Sequence, residues 1–208
     1  MPTLRRSTLA LLAALFAGPL AAPRAVAATV TASVTDKAGR ALPGAVVMLE
    51  PVSGKLPVKP MSGIEIAQSK RKFVPDVTVV TLGTAVTFPN LDTVRHHVYS
   101  FSPAKTFELK LYAGTPSSAV VFDKTGIAAI GCNIHDQMAA WIVIVDTPHH
   151  ARSGADGSAR LEGVAAGSYR LRAWHPGLAV DAQPPSVTVK VAAADIEQAI
   201  RLDVAAAP

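Results

Sequence analysis

Cysteine is nearly absent from this sequence, which contains only Cys132 among its 208 residues. A single thiol excludes a disulfide bond within the chain, so the protein is not a small fold stabilised by cystine bridges. In an exported protein, a lone thiol would also be open to oxidation. Cys132 is therefore expected to be buried and inert, paired with a second chain, or bound to a metal ion.

Aromatic residues and helical periodicity are also scarce. Only 5% of the residues are aromatic, and no stretch of useful length repeats its apolar residues with the period of a helix. By contrast, 16 prolines and 14 glycines are spread throughout the chain, between short stretches in which apolar and polar residues alternate. This pattern is typical of short strands joined by turns, so the sequence predicts an all-β protein.

A strongly charged surface is missing too. The formal net charge is +5, but Arg5, Arg6 and Arg24 lie in an N-terminal segment that has no acidic residue. Without these three arginines, 17 basic residues are balanced by 15 acidic ones. No basic run is interleaved with aromatic residues, so nucleic-acid binding is not expected.

The N-terminal segment, residues 1 to about 27, has the composition of an export signal. Two arginines precede an apolar stretch at residues 9–17, which is too short to cross a bilayer, and residues 25–27 (Ala-Val-Ala) are small enough for a signal peptidase. We expect cleavage near Ala27 and a periplasmic mature protein, with a retained membrane anchor as the alternative. No later segment reaches transmembrane length, so no membrane span is expected after signal removal.

Both ends of the mature chain contain alternating stretches. Residues 29–34 and 45–49 flank a turn at residues 36–40, which predicts a β-hairpin. Near the C-terminus, further turns and strands are predicted at residues 156–163, 167–174, 186–191 and 200–204.

These two ends together resemble a carboxypeptidase regulatory-like domain. Its opening pattern V-x-D-x-x-G-x-x-L-P-G-A-x-V stands at residues 34–47, and its closing pattern, from D-G to a tryptophan, stands at residues 156–174. The resemblance implies a small immunoglobulin-like β-sandwich of the transthyretin type. Residues 28–58 would supply its first strands and residues 148–208 the others, with about 90 residues inserted between them. The alternative is two unrelated β-segments that flank one domain.

The inserted part, residues 63–147, is predicted to be a second β-domain that follows a proline-rich linker at residues 51–62. Its predicted strands are residues 64–68, 77–80, 85–88, 106–112, 120–123 and 141–145. Val86 and Phe88 share one face of their strand because side chains alternate.

The stretch from Cys132 to Met138 contains the chemistry of a metal site. His135 follows the cysteine by three residues, and Met138 follows the histidine by three. Thiolate, imidazole and thioether favour copper, whereas calcium or magnesium prefers oxygen ligands and tetrahedral zinc would not select a methionine. A second histidine from upstream would be needed to complete such a site.

The spacing of residues in the inserted part resembles that of a cupredoxin. The matching residues are Phe88, Asn90, Asp92, His96, Val98, Gly126, Cys132, His135 and Met138. The C-x-x-H-x-x-M spacing is most similar to that of amicyanin. The resemblance implies a Greek-key β-sandwich with one type 1 copper per chain, bound by His96, Cys132, His135 and Met138.

Some positions leave alternatives open. His97 is the alternative to His96, although strand alternation places His96 and Val98 inward and His97 outward. Gln137 is the alternative to Met138 as axial ligand. Arg95 and His97 stand where the family usually has proline and asparagine, and Ile130 stands where it has an aromatic residue. The pair His149 and His150 is expected to be solvated, with an accessory role in metal loading as the other option.

The resemblance implies a one-electron carrier or redox module and no enzymatic activity. Redox proteins would dock transiently near His135, over Ile134, Ala139 and Ala140. The alternatives are a periplasmic protein that binds, delivers or senses copper without transferring electrons, and a structural β-module without a metal.

Overall fold

The computed structural model describes residues 27–179 and 182–205, and these ranges contain seventeen β-strands and no helix. The predicted all-β class is therefore confirmed. Within these ranges, no helix is long and apolar enough to cross a membrane. The predicted export signal falls almost wholly on residues 1–26, outside the described residues, and stays a prediction.

The strands are named in chain order. The first nine are β1 (Ala28–Thr35), β2 (Val46–Pro51), β3 (Ile64–Glu65), β4 (Ala67–Ser69), β5 (Lys72–Val74), β6 (Val77–Thr81), β7 (Thr84–Thr87), β8 (His96–Ser102) and β9 (Lys105–Tyr112). The others are β10 (Val120–Phe122), β11 (Gly126–Gly131), β12 (Ala139–Val145), β13 (His150–Arg152), β14 (Ser158–Val164), β15 (Gly167–Trp174), β16 (Ser186–Val191) and β17 (Ile196–Arg201).

Strands β3 to β12 form the central sandwich. One sheet has the order β10-β7-β3, the other has the order β6-β12-β11-β8-β9, and β4 pairs with β5 as a separate hairpin. Alternating apolar residues of these strands meet in one core, as their period of two requires. Its largest fully buried side chains include Phe88, Phe122, Ile66, Met138 and Ile142.

Strands β1, β2 and β13 to β17 form the flanking sandwich, with sheets β14-β1-β17 and β13-β2-β15-β16. Leu49, Leu171 and Leu202 are fully buried in its core. Because β13 pairs with β2, the chain returns beside the strand from which it left to form the central sandwich. Division into independent domains at residues 28–58, 63–147 and 148–208 stays a prediction.

The hairpin predicted for residues 29–50 is wrong. β1 pairs with β14 and β17, whereas β2 pairs with β13 and β15, so the two strands lie in opposite sheets. Asp36 does form the expected turn by accepting the amides of Ala38 and Arg40. The chain then continues through Pro43 and Gly44 and crosses between the sheets. Alternation indicates that a stretch is a strand but does not identify its partner.

The last strand also differs from the prediction. β17 spans Ile196–Arg201 and runs parallel to β1, whereas the prediction placed it at residues 200–204. Glu197, Gln198 and Ala199 have little intrinsic preference for strands, so their share of β17 is decided by pairing with β1. Leu202 and Val204 are nevertheless buried, beyond the end of the strand.

The two sandwiches pack against each other through the outer faces of their larger sheets. The buried apolar residues of this contact are Val46, Met48, Val77, Val143, Val145 and Trp174. The rings of Trp141 and Trp174 lie 6.4 Å apart beside it. This contact explains why the first four residues of β2 are all buried and why the sequence of β12 is a continuous apolar run.

Gly157 allows a test of the flanking sandwich. Its φ is +76°, and a Cβ there would lie 2.5 Å from the carbonyl oxygen of Val34. Gly39 has a similar φ of +82° but no atom within 4 Å of a Cβ. We expect Gly157→Ala to lower the free energy of unfolding by more than about 2 kcal/mol, and Gly39→Ala by about 1 kcal/mol.

Urea unfolding of both variants measures this difference. The unfavourable left-handed conformation is common to the two sites, so Gly39→Ala isolates its contribution from that of the close contact with Val34. Equal losses of stability would contradict the packing described at Gly157.

Candidate metal site

Three potential ligand residues converge at one end of the central sandwich. The Sγ atom of Cys132 lies 4.0 Å from Nδ1 of His96 and 3.7 Å from Nδ1 of His135. One ligand atom from each residue lies within 4.8 Å of the other two. Among the described residues this is the only such group of three or more histidine, cysteine, aspartate or glutamate side chains.

The loop from Cys132 to Met138 joins two paired strands. It leaves β11 at Gly131 and enters β12 at Ala139, and these two residues are the last pair of the antiparallel ladder. Inside the loop, the amide of Cys132 donates to the carbonyl of Met138 at 3.2 Å. The amide of Met138 donates to the carbonyl of His135 at 2.9 Å. The two sulfur-bearing residues are thus fixed at the base of the loop.

Exposure differs among the residues of this loop. Cys132 and Met138 are 3% and 2% exposed and belong to the core of the central sandwich. His135 is only partly buried, and Ile134 beside it is 48% exposed. Gln137, the alternative axial ligand, is exposed, whereas Met138 is buried with Cys132. Which of the two would be the axial ligand stays a prediction.

His96 and His97 face different partners. His96 is fully buried and joins Cys132 and His135, with its ring centroid 4.9 Å from that of His135. The Nε2 atom of His97 lies 2.9 Å from Oε1 of Glu108, and its Nδ1 has no partner among the described residues.

Strand alternation predicted that only one of these histidines would be turned inward. Both are buried, at 0% and 5% exposure, but on different faces of β8: His96 meets Cys132 in the core, whereas His97 packs against Tyr99 and Glu108. The directions expected from alternation therefore match the structure, although the register of β8 against β9 shifts between His96 and Val98.

Asp92 holds the outer nitrogen of His96. Its Oδ2 lies 2.8 Å from Nε2 of His96, and since a carboxylate only accepts, Nε2 carries the proton. The lone pair on Nδ1 is then directed toward Cys132. The pKa of Asp92 is lowered, chiefly by the amide of Arg71. Desolvation opposes this effect, and His96 and the amide of Lys70 add to it.

Asn90 braces the loop that leads to His96. Its Nδ2 donates to the carbonyls of Val94 and Tyr112, both at 2.9 Å, and its Oδ1 accepts the amide of Asp92 at 3.0 Å. Gln68 is fully buried below it and contacts the hydroxyl of Tyr112. Desolvation raises the pKa of Tyr112 to about 12. Asn90 thus ties the loop before His96 to the end of β9.

Sequence reasoning missed the supporting residues of this site. Asn90 and Asp92 belong to the spacing that predicts His96 as a ligand, but their hydrogen bonds were not predicted. Asn and Asp side chains often bond nearby backbone groups, and this tendency could have indicated the brace. Nothing in the sequence indicated Gln68, because its contact with Tyr112 joins residues 44 positions apart.

Other predicted residues lie elsewhere. His150 lies in β13, pairs with Met48 and does not join the cluster, and desolvation lowers the pKa values of both His149 and His150. The prediction that these two are simply solvated is wrong, since both are partly buried. Ala140 is 0% exposed because it points into the core, so its predicted place in a docking surface is also wrong.

Sequence comparison matches only part of the chain. The family described as "Polysaccharide lyase family 4, domain II" matches residues 149–198, which belong to the flanking sandwich. No curated protein matches the chain.

Solved structures with a similar fold include copper proteins. A purple cupredoxin from Nitrosopumilus maritimus has 19% identity and a TM-score of 0.35, over 39% of this chain and 99% of that one. The reduced Cu(I) form of an amicyanin variant has 16% identity and a TM-score of 0.37, over 48% and 98%. The copper-containing nitrite reductase of Thermus scotoductus has 20% identity and a TM-score of 0.38, over 46% of this chain and 25% of the reductase. These likenesses concern the fold of part of the chain.

The different positions of the two adjacent histidines allow a direct test. Replacement of the ligand His96 should weaken binding of Cu(II) more than the roughly 10–100-fold that loss of an outer partner costs, whereas His97→Gln should keep most of the affinity. Titration of His96→Gln and His97→Gln with Cu(II), followed by absorption, measures both affinities. Loss of binding in His97→Gln alone would show that the ring of His97 is the ligand.

Proposed function

We propose that the protein binds one copper ion through His96, Cys132, His135 and Met138 and carries single electrons in the periplasm. The observation behind the proposal is the buried approach of a lone thiol to two imidazole nitrogens, with one ligand atom of each residue within 4.8 Å of the others. Groups at this separation can bind one metal ion together.

The donor set suits copper. A thiolate with two imidazoles and a weak thioether is the combination found in electron-transfer copper sites, whereas structural zinc sites use four cysteine or histidine ligands. The proton on Nε2 of His96 leaves Nδ1 free to bind a metal. Bound copper would supply one-electron chemistry at this position.

Hydrogen bonds within the protein hold three of these four ligand residues in place. Cys132 and Met138 are joined by a backbone hydrogen bond at the end of a ladder, and Asp92 holds His96 in one orientation. A protein frame that fixes its ligands allows little movement between the two oxidation states. Such rigidity favours an electron carrier over a protein that must release its metal.

The rim of the site suits transient docking. His135 is partly exposed, and the loops that lead to His96 and His135 carry exposed apolar side chains: Leu91 at 68%, Val94 at 40% and Ile134 at 48%. A small apolar rim is compatible with a short-lived contact between redox proteins. We propose that electrons enter and leave through the edge of His135.

Colour is the first test of this proposal. Purified protein loaded with Cu(II) should turn intensely blue through charge transfer from the Cys132 thiolate, and Cys132→Ser should abolish the band. The loaded protein should also give reversible one-electron voltammetry without losing metal. A colourless wild-type protein with stoichiometric copper would contradict the carrier, and loss of copper on reduction would favour delivery.

Electron self-exchange between two copies tests the exposed rim. In Ile134→Lys, a charge replaces an apolar contact beside His135, so we expect exchange to slow by about tenfold while the absorption spectrum is unchanged. Broadening of NMR lines in mixtures of oxidised and reduced protein measures the rate.

Phe101→Lys is the matched control. Phe101 is 78% exposed and lies on the same strand as His96, about 16 Å along it at the usual rise per residue. It introduces the same charge, so exchange in this variant should stay close to the wild-type rate. Equal slowing in both variants would show that net charge, not the His135 rim, controls exchange.

A further inference from the structure

Asp92 lies between the candidate ligand His96 and a tight turn of the chain. Its Oδ2 accepts from Nε2 of His96 at 2.8 Å and from the amide of Arg71 at 2.9 Å, and its Oδ1 accepts from the amide of Lys70 at 2.6 Å. Both carboxylate oxygens are thus engaged, one of them by the histidine. The His96 side chain is 0% exposed and that of Asp92 is 17% exposed.

The amides come from a strained turn. Lys70 and Arg71 connect β4 to β5 and have φ values of 53° and 57°, which non-glycine residues adopt at a cost of about 1–2 kcal/mol each. Their side chains are exposed, so the contact with Asp92 uses only the backbone. The turn is therefore held in a shape that directs two amides at one carboxylate.

We propose that Asp92, held in place by this turn, is a positioning residue that acts through His96 and biases the copper site toward Cu(II). The inference rests on the proposed function. A carboxylate that accepts the Nε2 proton fixes the ring and makes Nδ1 a stronger donor. It also places a negative charge next to the ligand, and negative charge favours the more positive oxidation state of a bound metal.

Replacement of the charge tests this role. Asp92→Asn keeps an acceptor for Nε2 but removes the charge, so we expect the ratio of Cu(II) to Cu(I) affinity to fall about tenfold. For one electron this corresponds to a rise of about 59 mV in reduction potential. Spectroelectrochemistry measures it, and the blue band should remain. Asp92→Glu keeps the negative charge, so its reduction potential should rise by less than that of Asp92→Asn. A purely structural role of Asp92 would not require this difference.

A second measurement needs no metal. In copper-free protein, the proton on Nε2 of His96 should give a slowly exchanging ¹H–¹⁵N signal, because it is buried and donated to Asp92. Asp92→Ala should lose this signal to exchange with water, whereas Asp92→Glu should retain it. Absence of the signal in the wild-type protein would overturn the proposal.

The turn provides a matched control. Lys70→Gly combined with Arg71→Gly keeps both amides and removes the unfavourable φ values, so stability should rise and the affinity ratio should stay unchanged. Measurement at high ionic strength screens the two lost surface charges. A shift as large as that of Asp92→Asn would overturn the proposal, since exposed charges would then set the potential.

The two proposals fail in different ways. If copper binds and turns blue but Asp92→Asn leaves the affinity ratio unchanged, Asp92 does not tune the site and the electron carrier stands. If no copper binds while the Nε2 signal responds to Asp92 as expected, the pairing of Asp92 with His96 stands and the proposed function falls.

Discussion

Burial of the His96 imidazole is the constraint on which the rest of the site depends. The ring is fully buried, and a buried polar atom without a partner is costly, so both of its nitrogens need a neighbour. Nε2 donates to Asp92, and Nδ1 faces Cys132. Other segments fix these two neighbours. Asn90 and the turn between β4 and β5 hold Asp92, and the base of the Cys132 loop holds the cysteine. The site is thus assembled around a single side chain from several distant segments.

The flanking sandwich packs on the strand that follows the Cys132 loop. It contacts Trp141, Val143 and Val145 of β12, three to seven residues after Met138, which is roughly 10–23 Å along the strand. Ala139, at the site end of the same strand, remains exposed. The flanking sandwich therefore covers most of β12 but not Ala139, where β12 begins directly after Met138. His135, in the loop beyond this end, is partly exposed.

Local patterns predicted the elements better than their pairing. Alternation located most strands, and the short spacing of Cys132, His135 and Met138 indicated a shared site, because these features lie within a few neighbouring residues. The partner of β1 and the extent of β17 depend on contacts between distant segments, which alternation does not contain. The same holds for Gln68 and for the amides of the turn at Lys70, which reach the site across some 20 residues or more.

Alternation holds along β8 at the site itself. His96 faces Cys132 in the core, whereas His97 lies on the other face of the strand and is buried there by its neighbours Tyr99 and Glu108. His96 thus joins Cys132, while His97 contacts Glu108 on the neighbouring strand. A slip of one residue would exchange the two rings and break the contacts of both. The bond between His97 and Glu108 therefore helps to fix the register that brings His96, and not its neighbour, to the sulfur.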